Sequence, residues 1–148
     1  MNKTIFILIL TISFPLQCKK EEIKPSSNII LKDKTLPVIK VNIKGMWKLC
    51  YARGGICAVC PPTRFDQVYY EFGDQDRIIW TDKNLKLADT IILWQYLKDI
   101  FEEYTFTLNF SDTRLYPYSY IVDGIYNDTL LLIDNAYDPM YYYLSRSK

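Results

Sequence analysis

From Gly45 to Arg146 the chain is written in short runs that alternate apolar and polar side chains, and this period of two constrains the fold more than any other feature. Eight such runs stand out: 45–53, 66–72, 77–81, 89–97, 103–110, 118–126, 129–133 and 140–146. The clearest puts Tyr104, Phe106, Leu108 and Phe110 on one face and Glu103, Thr105, Thr107 and Asn109 on the other. In the first run, Trp47, Leu49 and Tyr51 share a face opposite Met46, Lys48 and Cys50. Polar turn residues separate the runs, among them Gly73-Asp74-Gln75-Asp76 and Asn127-Asp128. Run 89–97 reads two ways, because Leu87, Ile91, Trp94 and Phe101 fall at helical spacing while Thr90-Ile91-Ile92 is β-branched. With no glycine to cap a helix there, it is taken as a strand. Short strands at intervals near a dozen residues argue for an all-β protein, an antiparallel barrel or sandwich.

The stretch before Gly45 is of another kind. Asn2-Lys3 followed by apolar residues from Ile5 to Leu16 has the form of a secretory leader, and that apolar core is too short to span a bilayer. Pro15 breaks it just before Leu16-Gln17-Cys18, and an apolar core, a short break and a cysteine resemble a bacterial lipoprotein signal. The resemblance implies cleavage after residue 17 and lipidation of Cys18; the alternative is a plain secretory signal with an incidental thiol. Lys19-Lys20-Glu21-Glu22 is similar to the surface-export signal of some Gram-negative lipoproteins, and is otherwise a solvated charge run. Residues 18–44 are expected to form a flexible tether interrupted by Pro25 and Pro37. Ile29-Ile30-Leu31 and Val38–Ile43 are apolar enough to touch the domain as an edge strand. The division is therefore signal peptide 1–17, lipidated cysteine and tether 18–44, and one domain 45–148.

What the chain lacks narrows its chemistry. It contains no histidine, so neither a Ser-His-Asp nor a Cys-His arrangement nor an imidazole-ligated metal is available. A net charge of +1 gives no electrostatic footprint for nucleic acid. Glu102-Glu103 and Asp123 with Asp128 read as surface charge. Cys57-Ala58-Val59-Cys60, with Cys50 nearby, lies in a loop between β runs with Pro61-Pro62 behind it, unlike a redox motif at a helix start. In an exported protein a disulfide is the favoured reading, from Cys50 to Cys57 or Cys60; unbridged thiols and metal or redox chemistry are the alternatives. The expectation is a protein without enzymatic activity, cofactor or metal.

The ordered series Gly45-x-Trp47-Lys48-Leu49, Gly54-Gly55-Ile56, Tyr70-Glu71-Phe72, Asn127-Asp128-Thr129-Leu130-x-Leu132 and Tyr142-x-x-x-Arg146 resembles the bacterial lipocalin-like lipoprotein domain family. The resemblance implies an up-and-down barrel of about eight strands. Gly45 and Trp47 would close one end, and Arg146 would pack over the Trp47 indole as a structural signature. Inward aromatics either fill such a barrel or line a pocket, and Tyr104, Phe106, Tyr118, Tyr120 and Tyr142 are the candidate ligand-lining residues. The functional expectation is an outer-membrane protein, lipid-anchored and surface-exposed, that binds a small apolar or amphipathic ligand. The alternative is a filled barrel acting as an interaction module that docks to a surface protein or glycan.

Overall fold

The computed structural model describes residues 25–56, 60–111 and 119–147. The leader 1–17, Cys18 and the charge run 19–22 lie outside the described residues. The strands are β1 (Ile29–Ile30), β2 (Gly45–Gly54), β3 (Thr63–Phe72), β4 (Arg77–Asp82), β5 (Leu85–Lys98), β6 (Tyr104–Phe110), β7 (Ser119–Tyr126), β8 (Thr129–Asp134) and β9 (Met140–Arg146). One helix, α1 (Leu36–Ile43), precedes β2. Strands β2 to β9 pair in sequence order, each antiparallel to the next, and β9 returns to β2. The result is a closed eight-stranded up-and-down β-barrel. Closure removes the free sheet edges that an open meander of this length would expose.

Turn chemistry sets the register. Asn127 and Asp128 both have positive φ (50° and 58°), as do Lys83 and Asn84 (47° and 66°). These are the tight primed turns whose twist matches that of the flanking strands, joining Tyr126 to Thr129 and Asp82 to Leu85 as paired residues. Between β3 and β4 a short 3₁₀ turn, Asp74–Asp76, makes the connection. The ambiguous run 89–97 lies within β5, a strand of 14 residues.

A β-bulge corrects the expected facing of β2. Leu49 pairs with Leu144 and Tyr51 with Tyr143, so Cys50 is an extra residue with no partner across the ladder. The alternation changes phase there. Trp47, Leu49 and then Ala52 turn inward, and all three are buried. Tyr51, expected beside Trp47 and Leu49, instead lies outside and stacks on Tyr143 with ring centroids 4.4 Å apart.

The packed body also begins earlier than Gly45. Ile29 and Ile30 pair with Ile125 and Gly124 of β7, the edge-strand contact considered for this stretch. Gly124 makes the approach possible, since a Cβ there would lie 2.8 Å from the Ile29 carbonyl oxygen. Val38–Ile43, by contrast, is helical. Its β-branched residues disfavour a helix in isolation, and eight residues are too few to hold one. Packing decides the matter, because Ile39 and Ile43 bury their side chains in the barrel core together with Leu31.

Candidate ligand-binding site

Helix α1 plugs one end of the barrel, and its attachments define that end. Thr35 precedes it in extended geometry and Pro37 sits in its first turn, where the missing N–H is no loss. Buried Asn42 ties the helix to the incoming chain, accepting from the Ser26 N–H at 2.7 Å and donating to the Val38 carbonyl at 2.9 Å. The last carbonyls of a helix have no partner within it. Here the Trp47 Nε1–H donates to the Ile43 carbonyl at 2.6 Å, and Arg146 Nη2 donates to the Asn42 carbonyl at 3.1 Å. The Arg146 guanidinium lies 4.2 Å from the Trp47 ring centroid, and the two residues pair across β2 and β9. Gly45, at φ +112°, makes the turn from helix to strand that delivers Trp47 beneath α1. Gly45, Trp47 and Arg146 thus form one clamp on the plug.

Beside the plug is a cleft of about 270 Å³ between α1, the β3–β4 turn and β5. Val41, Ile43, Phe72, Ile92 and Trp94 supply its apolar wall, and Lys40, Lys44, Asp74 and Asp76 its charged rim. The rim is cross-linked. Lys40 Nζ is 2.7 Å from Asp76 Oδ1, and Lys44 Nζ is 2.5 Å from Asp74 Oδ1. The Trp94 Nε1–H donates to Asp76 Oδ1 at 3.0 Å, fixing the indole against the cleft with Lys40 Nζ 5.9 Å from its centroid. One side of the cleft is therefore apolar and aromatic, and the other carries charges already neutralised in pairs. Such a site accepts an amphipathic molecule. Reasoning from sequence missed Lys40, Asp76 and Trp94, since only the closed barrel brings α1, the β3–β4 turn and β5 together. The signal within reach was the helix start at Thr35 and Pro37, with Leu36, Ile39 and Ile43 at helical spacing.

The five aromatic residues expected to line a ligand pocket separate into groups. Tyr120 is 2% exposed and belongs to the core, meeting Phe110 and Tyr142 edge-on at 5.8 and 5.3 Å. Tyr142 is half-buried against the same cluster. Tyr70 stacks on Trp80 at 5.6 Å, and its hydroxyl shares a hydrogen bond with that of Tyr120. Burial pushes the Tyr70 phenol up to about 12 and raises that of Tyr120 well above its ordinary range. Asp134, paired with Tyr120 across β7 and β8, is likewise raised by burial. These side chains fill the lumen. Tyr104 and Phe106 lie on the β5–β6 hairpin, Phe106 packed against the edge of the core and Tyr104 exposed. There they join Tyr96, with Tyr96 4.9 Å from Phe106 and 5.8 Å from Tyr104 between centroids. Tyr118 lies outside the described residues.

The cysteines are also resolved in part. Cys50 keeps a free thiol, so the expected bridge from Cys50 is not made. The bulge holds its Sγ 3.2 Å from Ser145 Oγ on the neighbouring strand. Cys60 is disulfide-bonded, and Cys57 lies outside the described residues. Among the described residues no group of three or more Cys, Asp or Glu side chains could hold a metal ion. No family model, curated protein or solved structure matches this chain.

Proposed function

We propose that the protein is a non-catalytic binding module, held at the outer membrane by an acylated Cys18 and akin to lipocalin-like lipoproteins, that takes a small amphipathic ligand at the helix-plugged end of its barrel. The observation that carries the reading is the cleft of about 270 Å³ with Trp94, Phe72 and Ile43 on its wall and the Lys40–Asp76 and Lys44–Asp74 pairs on its rim. A lumen packed with Tyr70, Phe110 and Tyr120 directs binding to this end. Burial of the ligand's apolar part against Trp94 supplies affinity, and the paired charges orient its polar part. The closed barrel and the Arg146–Trp47 contact support kinship with lipocalin-like proteins, and the leader ending in Cys18 supports the anchor.

The test uses the full-length chain and 1-anilinonaphthalene-8-sulfonate, an aromatic body bearing one anionic group. Saturable binding to a single site is expected, weakened about tenfold in Trp94→Ala by loss of one aromatic contact of about 1.4 kcal/mol. Binding should be unchanged in Tyr120→Phe, which alters the lumen alone. No saturable binding, or binding that Tyr120→Phe weakens and Trp94→Ala does not, would overturn the assignment. A second reading, docking to a surface protein, is favoured by one observation. Ile91 and Leu93, two residues apart on β5, are each about half exposed (53% and 49%) on the barrel wall.

A further inference from the structure

The β5–β6 hairpin carries its pairing past the barrel core, with Tyr96 opposite Phe106 and Lys98 opposite Tyr104. Tyr96 and Tyr104 are 63% and 64% exposed although their rings are in contact. They form one wall of a second cleft, of about 230 Å³, whose other wall is the segment Lys32–Thr35 leading into α1. That segment is fixed in place. Thr105 Oγ1 donates to the Lys32 carbonyl at 2.6 Å, and Lys32 Nζ is 2.8 Å from Glu103 Oε2. The cleft is therefore bounded by two anchored walls, one of aromatic rings and one of polar groups.

We propose that this cleft binds a neutral saccharide, a single pyranose ring or the terminal ring of a glycan. Three features select that class. The rings are tilted, Tyr96 at 30° to Tyr104 and 47° to Phe106, so they enclose a concave corner. A flat aromatic ligand stacks best on parallel planes, whereas a puckered ring can lay its axial C–H groups against both tilted faces. The charges at the rim are matched, Lys32 with Glu103 and Lys34 with Asp33 at 2.9 Å. Matched pairs offer hydrogen-bond donors and acceptors without a net field, which suits hydroxyls better than an anion. The Thr35 side chain makes no capping bond to the helix, which leaves its hydroxyl available to a ligand alongside the two phenols. The volume, about 230 Å³, accommodates a single pyranose ring. This proposal does not rest on the amphipathic-ligand site at Trp94.

Saturation-transfer NMR on the full-length chain tests it with methyl β-glucopyranoside, methyl β-galactopyranoside and methyl N-acetyl-β-glucosaminide as probes. At least one glycoside should receive saturation, strongest on its axial ring protons. The signal should fall about fivefold in the Tyr96→Ala/Tyr104→Ala double variant and persist in Tyr96→Phe. Tyr96→Leu, which keeps apolar bulk but loses the ring, should behave like the double variant and serves in its place if that variant does not fold. Trp94→Ala should leave the glycoside signal intact, which separates failure here from failure of the amphipathic-ligand site. Absence of transfer to all three probes overturns the proposal. So does a signal that survives the loss of both rings.

Discussion

Arg146 makes three contacts at the plugged end, and replacing it measures how much of the barrel's closure depends on them. In Arg146→Met the stem length is kept while the guanidinium is lost. The contact over Trp47 at 4.2 Å is worth roughly 0.5–2 kcal/mol, in the upper part of that range because the indole is buried. The hydrogen bond to the Asn42 carbonyl at 3.1 Å has a charged donor and is worth about 1.5–3 kcal/mol. The ion pair with Asp128, at 3.9 Å and with an Asp128 side chain 62% exposed, adds little. Since the methionine stem recovers some packing, a loss of about 2–4 kcal/mol is expected. For a body of just over 100 residues that is a fall in Tm of about 8–16 °C. Denaturant unfolding gives the global loss, and amide exchange locates it. An eight-residue helix has little stability of its own, so the amides of α1 should exchange much faster while those of β6 to β8 follow the global change. A cycle with Trp47→Leu should return a coupling of about 0.5–2 kcal/mol, the part that belongs to the pair. If Arg146→Met lies within about 0.5 kcal/mol of the parent, or if α1 exchange is unchanged relative to the strands, the clamp is not what holds the helix.

Two further perturbations address the lumen and the N-terminal strand. Tyr70 titrates near 10 when unfolded and about 12 in the fold, because burial disfavours its phenolate. Its folded pKa is raised, so its contribution is fully present below pH 10 and is lost as pH rises to 12, a change of about 2–3 kcal/mol. Tyr120 acts in the same direction. Urea midpoints measured at pH 8, 10 and 11 should fall steeply for the parent and less steeply for Tyr70→Phe; equal slopes would contradict the assignment. Gly124→Ala places a Cβ 2.8 Å from the Ile29 carbonyl oxygen, and should destabilise by about 1–3 kcal/mol with faster exchange at Ile29–Leu31. Gly73→Ala, whose nearest contact would be 3.6 Å, is the matched control and should be close to neutral.

The strands were legible because period-two alternation is a local property, written into each run and independent of its neighbours. Val68, Tyr70 and Phe72 all point inward as their spacing implies, and all are buried. The facing of Tyr51 was not legible, since the register of β2 shifts between Leu49 and Tyr51 against both β3 and β9, and no residue of β2 signals it. The helix shows the opposite failure. Val38, Ile39, Val41 and Ile43 carry strand propensity, and what makes them helical is the open barrel end that Ile39 and Ile43 fill. Propensity yields to packing where an apolar face has only one place to be buried. The Trp94 cleft was out of reach for the same reason. Its walls come from Lys40, Phe72 and Trp94, which are distant in sequence and meet only when β2 to β5 and α1 are assembled.

The content of the lumen bears on where such a barrel recognises anything. An eight-stranded barrel is just wide enough for side chains to fill or for one small ligand, and inward residues choose between these outcomes. Here Trp47, Tyr70, Phe110 and Tyr120, each less than about a tenth exposed, take the filled option. Opening space for a ligand would mean removing large aromatic side chains, and each such truncation costs about 3–5 kcal/mol. A fold whose whole stability is about 5–15 kcal/mol does not give up several of them. Recognition then falls to groups outside the packed cylinder. Trp94 and Phe106 pack against the rim of the core, and Tyr96 and Tyr104 continue the same faces of β5 and β6 beyond it, both mostly exposed. Tyr96 and Tyr104 have the alternation of lumen residues without a lumen to fill. The length of β5, at 14 residues against 6 for β4, is what carries these rings past the plug. Shortening the β5–β6 hairpin to end the sheet near Trp94 should therefore leave the barrel folded, with its core intact. It should abolish glycoside saturation transfer, and a shortened chain that still gave that signal would place recognition elsewhere on the molecule.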